Sequence, residues 1–190
     1  MRKLLVVGAG GHGRSVAEAV LAGGGFSLAG FLDDAYPQLA RVWDVPVLGP
    51  VSDFAQWRAT ADCALVAIGN NAVRKTITEE LRMAGFEIPV VIHPRALVSP
   101  SAVIGAGAVV MAGAVVGTEA HLGEGAIVNC GAVVDHDCRV GNYGHLGVNA
   151  AMAGSSVLGA FAIMQAGSAL GYGIKTADGF VLAPGMALGR

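Results

Sequence analysis

From Ile92 onward, every sixth residue is aliphatic or methionine with one exception. The series runs Ile92, Val98, Ile104, Val110, Val116, Leu122, Val128, Val134, Val140, Leu146, Met152, Leu158, Met164, Leu170, Thr176 and Leu182, and only Thr176 breaks it. A second series in the same period, Ala96 through Ala132, then Cys138, Gly144, Ala150, Ser156, Ala162 and Ser168, holds only small residues. A helix repeats every 3.6 residues and a strand every two, so neither sustains a period of six. One short strand plus one turn, repeated, does. The aliphatic residue then fills the interior and the small residue points inward near a corner. Three such faces close a coil, and coils stacked in register bury a continuous core. The two series run without an insertion and predict a parallel β-helix of about five coils. Glycine often follows the aliphatic position, at Gly105, Gly117, Gly123, Gly141, Gly147, Gly159 and Gly171, where it is expected to take turn angles that a Cβ resists. Val103, Val109, Val115, Ile127 and Val133 also recur every six, interrupted by His121. Facing outward, they are a candidate subunit interface, because flat apolar surface is commonly covered by oligomerisation.

Residues 1–90 read differently, as alternating strands and helices. Strands are expected at Leu4–Val7, Leu28–Leu32, Val45–Leu48 and Ala64–Ile68. Helices are expected over Arg14–Leu21, from a Ser52 N-cap through Trp57, and after Gly69-Asn70-Asn71 through Met83. The loop Gly8-Ala9-Gly10-Gly11-His12-Gly13 carries the glycine spacing of a dinucleotide fingerprint, with the acidic pair Asp33-Asp34 about 20 residues later. Bare backbone before a helix N-terminus suits a phosphate. The unit is too short for both halves of a dinucleotide fold. A nucleotide-linked ligand therefore fits better than NAD, and a purely structural turn is the third reading. His12 either touches the ligand or caps the turn.

The totals exclude several classes. The chain is 54% hydrophobic and 14% charged, too apolar for disorder, yet no apolar run approaches the ~18–20 residues that span a bilayer. No membrane partner is therefore expected. A net charge of −2 argues against a nucleic-acid partner. The three cysteines, Cys63, Cys130 and Cys138, show no metal-ligand spacing and read as free thiols in a cytoplasmic protein.

Reactive side chains are scarce in the repeat, so its polar breaks stand out. The largest is Asp135-His136-Asp137, followed by His145. An imidazole flanked by carboxylates can act as a general base, with one carboxylate holding a ring nitrogen. His145 can donate to a thioester carbonyl as charge develops there. Solvated turn histidines are the competing reading. His93 and His121 lack acidic partners and read as structural or exposed.

Five segments, VVGAGGHGRSVAEAV from Val6, FLDD from Phe31, VAIGNNAVRK from Val66, VIHPRALVSPSAVIGAGAVVMAGAVV from Val91 and NCGAVVDHDCRVGNYGHLGVNA from Asn129, resemble the sugar O/N-acyltransferases of the sialic acid O-acetyltransferase type. They lie close to the bacterial N-acetyltransferases of nucleotide-linked 4-amino sugars. The resemblance covers nearly the whole chain. It implies a Rossmann-like α/β half domain over 1–90 and a left-handed parallel β-helix of hexapeptide repeats over 91–190. It also implies a homotrimer with sites between subunits, and acetyl-CoA as donor with no metal. His136 would be the general base and Asp137 its orienting partner. His145 would contact the acetyl group of acetyl-CoA. Ala166 and Pro184 would pack on the pantetheine arm. Gly10, Gly11, His12, Asp33, Asp34 and Gly69 would line the nucleotide-sugar site, with Asp33-Asp34 meeting base or ribose. Family members run past the last coil into a Gly-Val-Pro-Ala-Lys type segment. Here the order is Ala183-Pro184-Gly185-Met186-Ala187 and the sequence stops at Gly189-Arg190, so a shortened last coil is expected. The expected reaction is N-acetylation of a nucleotide-linked amino sugar by direct transfer. The rivals are O-acetylation of a sialic acid or other sugar, and a non-catalytic nucleotide-sugar scaffold.

Overall fold

The computed structural model describes residues 1–189; Arg190 lies outside them. The chain divides into two compact units, Met1–Pro89 and Val90–Arg190.

The first unit runs β1 (Arg2–Val7), α1 (Gly11–Gly23), β2 (Phe26–Leu32), β3 (Arg41–Val42), β4 (Val45–Gly49), a 3-10 helix (Val51–Trp57), β5 (Cys63–Val66) and α2 (Asn71–Met83). Its sheet has the order β3-β4-β2-β1-β5, parallel except for the β3–β4 hairpin. Leu4, Leu5, Val6 and Val7 are all fully buried, as the central strand of a parallel sheet must be on both faces. The buried residues of α1 include Gly13, Val16, Ala17 and Val20, spaced as one helical face. The helix ends where Gly24 turns left-handed at φ 67°, the usual helix-terminating device. The chain leaves β1 toward β2 on one side and returns to β5 on the other. The loops after β1 and β5 therefore open a crevice at the point where strand order reverses.

Two local expectations differ. Ser52 caps nothing: the 3-10 helix has Pro50 as its N-cap residue, and its first free N–H, on Val51, is taken by Asp34 Oδ1 at 2.9 Å. The fourth expected strand stops at Val66, so Ala67 and Ile68 join the crevice loop.

The second unit is a left-handed β-helix of two-residue strands. The first face stacks Val91–Ile92, Val109–Val110, Ile127–Val128, His145–Leu146, Ile163–Met164 and Val181–Leu182. The second stacks Leu97–Val98, Val115–Val116, Val133–Val134, Ala151–Met152, Ala169–Leu170 and Ala187–Leu188. The third stacks Val103–Ile104, His121–Leu122, Arg139–Val140 and Val157–Leu158. Every pairing joins residues 18 apart, one full coil. The second residue of each strand and the small residue of each hexad form the core, with Val110, Val128, Leu146, Ala126, Ala150 and Ala162 fully buried.

The period also appears in the backbone. Every sixth residue from Gly107 to Gly185 has positive φ, whether glycine or not, as at Glu119, Asp137, Tyr143, Asn149, Ser155 and Phe161. This corrects the expectation for the glycines that follow the aliphatic position, because Gly105 and its equivalents are outside that set. They are glycine for want of space: a Cβ on Gly105 would lie 2.6 Å from Glu124 N, and one on Gly123 would lie 2.6 Å from Asn142 N, both on the next coil.

The expected outward stripe is likewise not one surface. A step of six moves to the next face, so Val109 and Ile127 stand on the first face, Val115 and Val133 on the second, and Val103 on the third. Val109 and Ile127 are each only 1% exposed and are unavailable to another subunit. Val103, at 54%, remains open. A stripe on one face has a period of 18.

Candidate active site

Each unit builds one candidate site. In the first, Gly8, Gly10, Gly11, His12, Asp33, Asp34, Val51, Ala67, Ile68 and Gly69 line a cleft of about 380 Å³ at the switch point of the sheet. All six residues expected at a nucleotide-sugar site meet there. Their roles within the fold differ. Gly8 and Gly13 are demanded by packing: Gly8 has φ +102°, and a Cβ on Gly13 would collide with the Gly8 carbonyl oxygen. Around Gly10, Gly11 and Gly69 a Cβ would meet nothing within 4 Å, and none has positive φ. Their missing side chains serve the open space of the cleft, not the protein interior. The first turn of α1 has no acidic residue and no side-chain cap, so the positive end of its dipole favours an anion there.

The two aspartates are tied to the backbone. Asp33 accepts from Ala9 N through Oδ2 (2.7 Å) and from Ala35 N through Oδ1 (2.9 Å), and Asp34 accepts from Val51 N. Asp33 therefore holds the glycine loop in place, and only its remaining lone pairs face the cleft. Arg74 was given no role by sequence reasoning. It is 1% exposed and donates from Nη1 to the carbonyls of Ile68 (2.9 Å) and Gly69 (3.2 Å), and from Nη2 to Asn71 Oδ1 (2.8 Å). It clamps the loop that forms the opposite lip. The sequence alone does not separate it from an arginine on a helix surface.

In the second unit, the turn leading from the second face to the third carries Asp135, His136 and Asp137. Asp137 occupies one of the left-handed turn positions at φ 59°, a conformation that Asp tolerates better than most residues. It turns the carboxylate back onto its neighbour, and Asp137 Oδ2 lies 2.7 Å from His136 Nδ1. Asp135 Oδ1 accepts from His136 N at 2.7 Å, while its Oδ2 stands 3.8 Å from Nε2. The His136 pKa is raised above its ordinary value, first by the hydrogen bond that the ring donates to Asp137 and then by the charge of Asp135. The ring is about half exposed, so solvent screens these charges.

Two further residues belong to this corner. Counting 18 from His136 gives Gly154 and then Tyr172, at the same turn on the next two coils. A Cβ on Gly154 would lie 2.5 Å from both Cε1 and Nε2 of the imidazole, so its absence makes the notch in which the ring sits. Tyr172, 64% exposed, stands with its ring centroid 6.4 Å from that of His136. Sequence reasoning missed both. The coil period was the signal that finds them.

His145 is not brought to His136 within the chain. It lies on a strand of the first face, and in a three-sided coil that face is opposite the corner that carries His136. Ala166 and Pro184 stack one coil apart at the turn between the first and second faces, where Gly185 N donates to Ala166 O at 2.9 Å; both are exposed. The second face joins that corner to the His136 corner. Along it lies a shallow cavity of about 450 Å³, lined by Val133, Ala151, Ala153, Ala169, Gly171 and other apolar residues, with Asp135 at its edge. Cys63, Cys130 and Cys138 are free thiols. Among the described residues, no group of three or more His, Cys, Asp or Glu is placed to hold a metal ion, and no helix is long and apolar enough to cross a membrane.

Residues 3–81 match the family model of the PglD N-terminal domain. A curated relative, the UDP-N-acetylbacillosamine N-acetyltransferase of Bacillus subtilis (strain 168), is 34% identical over 103 residues; the match covers 52% of this chain and 46% of that protein, so the chain aligns with under half of its length. Among solved structures, PerB from Caulobacter crescentus, in complex with CoA and GDP-perosamine, is 34% identical with a TM-score of 0.94, over 100% of this chain and 90% of that one. The acetyltransferase domain of PglB from Neisseria gonorrhoeae, in complex with acetyl coenzyme A, is 38% identical with a TM-score of 0.81, over 95% of each chain. With both units matched along the full length of the chain, it belongs to the family of nucleotide-amino-sugar N-acetyltransferases that includes PerB and PglB.

Proposed function

We propose that this chain transfers the acetyl group of acetyl-CoA to the amino group of a nucleotide-linked amino sugar. The observation that carries the reading is the 2.7 Å pairing of His136 Nδ1 with Asp137 at an open corner of the solenoid, beside an apolar cavity. Asp137 fixes the tautomer with the proton on Nδ1, so Nε2 is the basic nitrogen. The acceptor nitrogen attacks the thioester carbonyl carbon. The N–C bond forms, the C–S bond breaks, and the proton leaving nitrogen passes through Nε2 to the departing thiolate, giving amide and CoA thiol. The small-residue second face suits the slender pantetheine arm, which would run from Ala166 and Pro184 toward His136. The nucleotide would lie in the cleft of the first unit, its phosphates against Gly10, Gly11 and the start of α1, with His12, Asp33, Asp34 and Gly69 around it. PerB was solved with a donor product and an acceptor of these two kinds.

His145 reaches the same thioester only from a second copy of the chain, since its own His136 stands on the other side of the coil. The reading is therefore of a homotrimer with sites between subunits, acting in the cytoplasm, where its three thiols stay reduced. The direct test is thiol release from acetyl-CoA with a panel of UDP- and GDP-linked amino sugars. His136→Ala is expected to lower turnover by about 10²–10⁴-fold, the usual contribution of a general base, with the trimer intact by light scattering. Near-normal turnover in that variant overturns the assignment. Release with free sialic acid in place of the nucleotide sugars points to O-acetylation, and none with any acceptor points to a scaffold.

A further inference from the structure

We infer that Asp135 is the acceptor-selecting residue, a carboxylate that binds the acceptor amine in its ammonium form and presents it to His136 Nε2. The inference rests on the reaction proposed above. The two acids around His136 are not equivalent. Asp137 is committed to Nδ1 at 2.7 Å. Asp135 is turned the other way: its Oδ1 is held by the His136 backbone N–H at 2.7 Å, and its Oδ2 stays 3.8 Å from Nε2. That is beyond hydrogen-bond range, so the oxygen is beside the working nitrogen without being consumed by it. The missing side chain of Gly154 gives the ring itself its room. A group that approaches the exposed edge of the ring meets Nε2 and Asp135 Oδ2 together.

Among the described residues, Asp135 is also the single charged one lining the otherwise apolar cavity of the second face. A carboxylate against an apolar wall, half withdrawn from solvent, attracts a cation more strongly than one in open water. A primary amine near neutral pH supplies that cation, and a hydroxyl does not. Bound this way, the ammonium gives one proton to Nε2, which hands it to water. The neutral amine then attacks as described. Per turnover, ammonium plus thioester becomes amide, thiol and one released proton. Asp135 thus separates amine from hydroxyl acceptors by charge, a distinction that a general-base histidine alone does not make.

The test is Asp135→Asn in the full chain, chosen because the amide oxygen still accepts from His136 N and keeps the turn. Two ligands are compared: the amino-sugar nucleotide that the wild type acetylates, and the matching nucleotide sugar with hydroxyl in place of the amine, used as a competitive inhibitor. The expected result is a rise of about tenfold or more in KM for the amine, the size of one lost charge-assisted contact. The inhibition constant of the hydroxyl analogue and the KM for acetyl-CoA should stay within about twofold. Asp135→Glu should recover most of the amine selectivity. An unchanged amine KM, or an equal weakening of both ligands, overturns the inference, the second outcome marking Asp135 as merely structural. If the wild type acetylates no nucleotide-linked amino sugar, the proposed function itself fails, and that is seen before any variant is made.

Discussion

The two units make their clefts by opposite means. In the α/β unit the backbone itself is the variable. Gly8 at φ +102° and Gly13 pressed on the Gly8 carbonyl let β1 and α1 meet closely, and the cleft is bare main chain with few side chains. In the β-helix the backbone is constant: the same positive φ returns every sixth residue from Gly107 to Gly185, and pairing never leaves the 18-residue register. Only side-chain identity distinguishes one turn from the next, so Asp135-His136-Asp137 makes a site simply by replacing the usual small or apolar turn residues. A glycine therefore means different things in different places, and substituting alanine at chosen glycines can break this comparison.

The largest effect is expected where glycine answers to a neighbouring backbone. Gly13→Ala in the first unit and Gly123→Ala in the second each drive a Cβ into main chain, the latter 2.6 Å from Asn142 N. Overpacking of this kind costs about 1–3 kcal/mol, and the upper end applies where rigid backbone is the obstacle. Thermal melts of the two variants should both fall well below the wild type. A Gly123→Ala protein that melts normally would show that the coils can separate locally, and the steric account of this glycine series would be wrong.

The next effect belongs to the β-helix alone. Asp137 is the first cause of the raised His136 pKa. Imidazole accepts a proton only when neutral, so activity rises with pH as His136 deprotonates, and the acid limb is shifted upward from the ordinary histidine value. Asp137→Asn removes the carboxylate, lowers that pKa and moves the limb to lower pH. Turnover on the plateau should fall about 10–100-fold, as when carboxylates that orient metal-bound imidazoles are removed. The pH profile of kcat checks both. A limb that stays in place with kcat reduced would mean that a group other than His136 titrates.

The same contrast explains what could be read from the sequence. The solenoid was legible because each hexad repeats one physical instruction, and fifteen of sixteen aliphatic positions agree. The glycine cleft was legible because its spacing has few other uses. What was misread turned on the coil. Gly105 looked like a turn residue because glycine tolerates both positive φ and close approach, and composition does not say which. Val109 and Ile127 looked like surface because a step of six was taken as one face. His145, nine residues after His136, is half a coil away and stands on the opposite side. Gly154 and Tyr172 were invisible at period six and appear at once at eighteen. Arg74 was hidden for another reason: a buried guanidinium that holds loop carbonyls has the same sequence as one on a helix surface.

The smallest effect is the most discriminating, because the two readings of a glycine give it opposite signs. Gly11 begins α1, is not among the positive-φ glycines and would place a Cβ in open space. If the fold alone decided, Gly11→Ala would be silent or stabilising by roughly 0.5–1 kcal/mol, since alanine loses less backbone freedom than glycine in a helix. If the bare backbone serves a nucleotide-linked ligand, the same methyl keeps phosphate from the first N–H groups, and KM for the amino-sugar nucleotide rises about tenfold, roughly 1.4 kcal/mol. Both are expected together: a melt at or above the wild type, a weaker acceptor KM, and an unchanged KM for acetyl-CoA, whose proposed path lies on the β-helix. A loss of stability would place Gly11 with Gly13 as a packing residue. A stable variant with a normal acceptor KM would move the phosphates away from the start of α1.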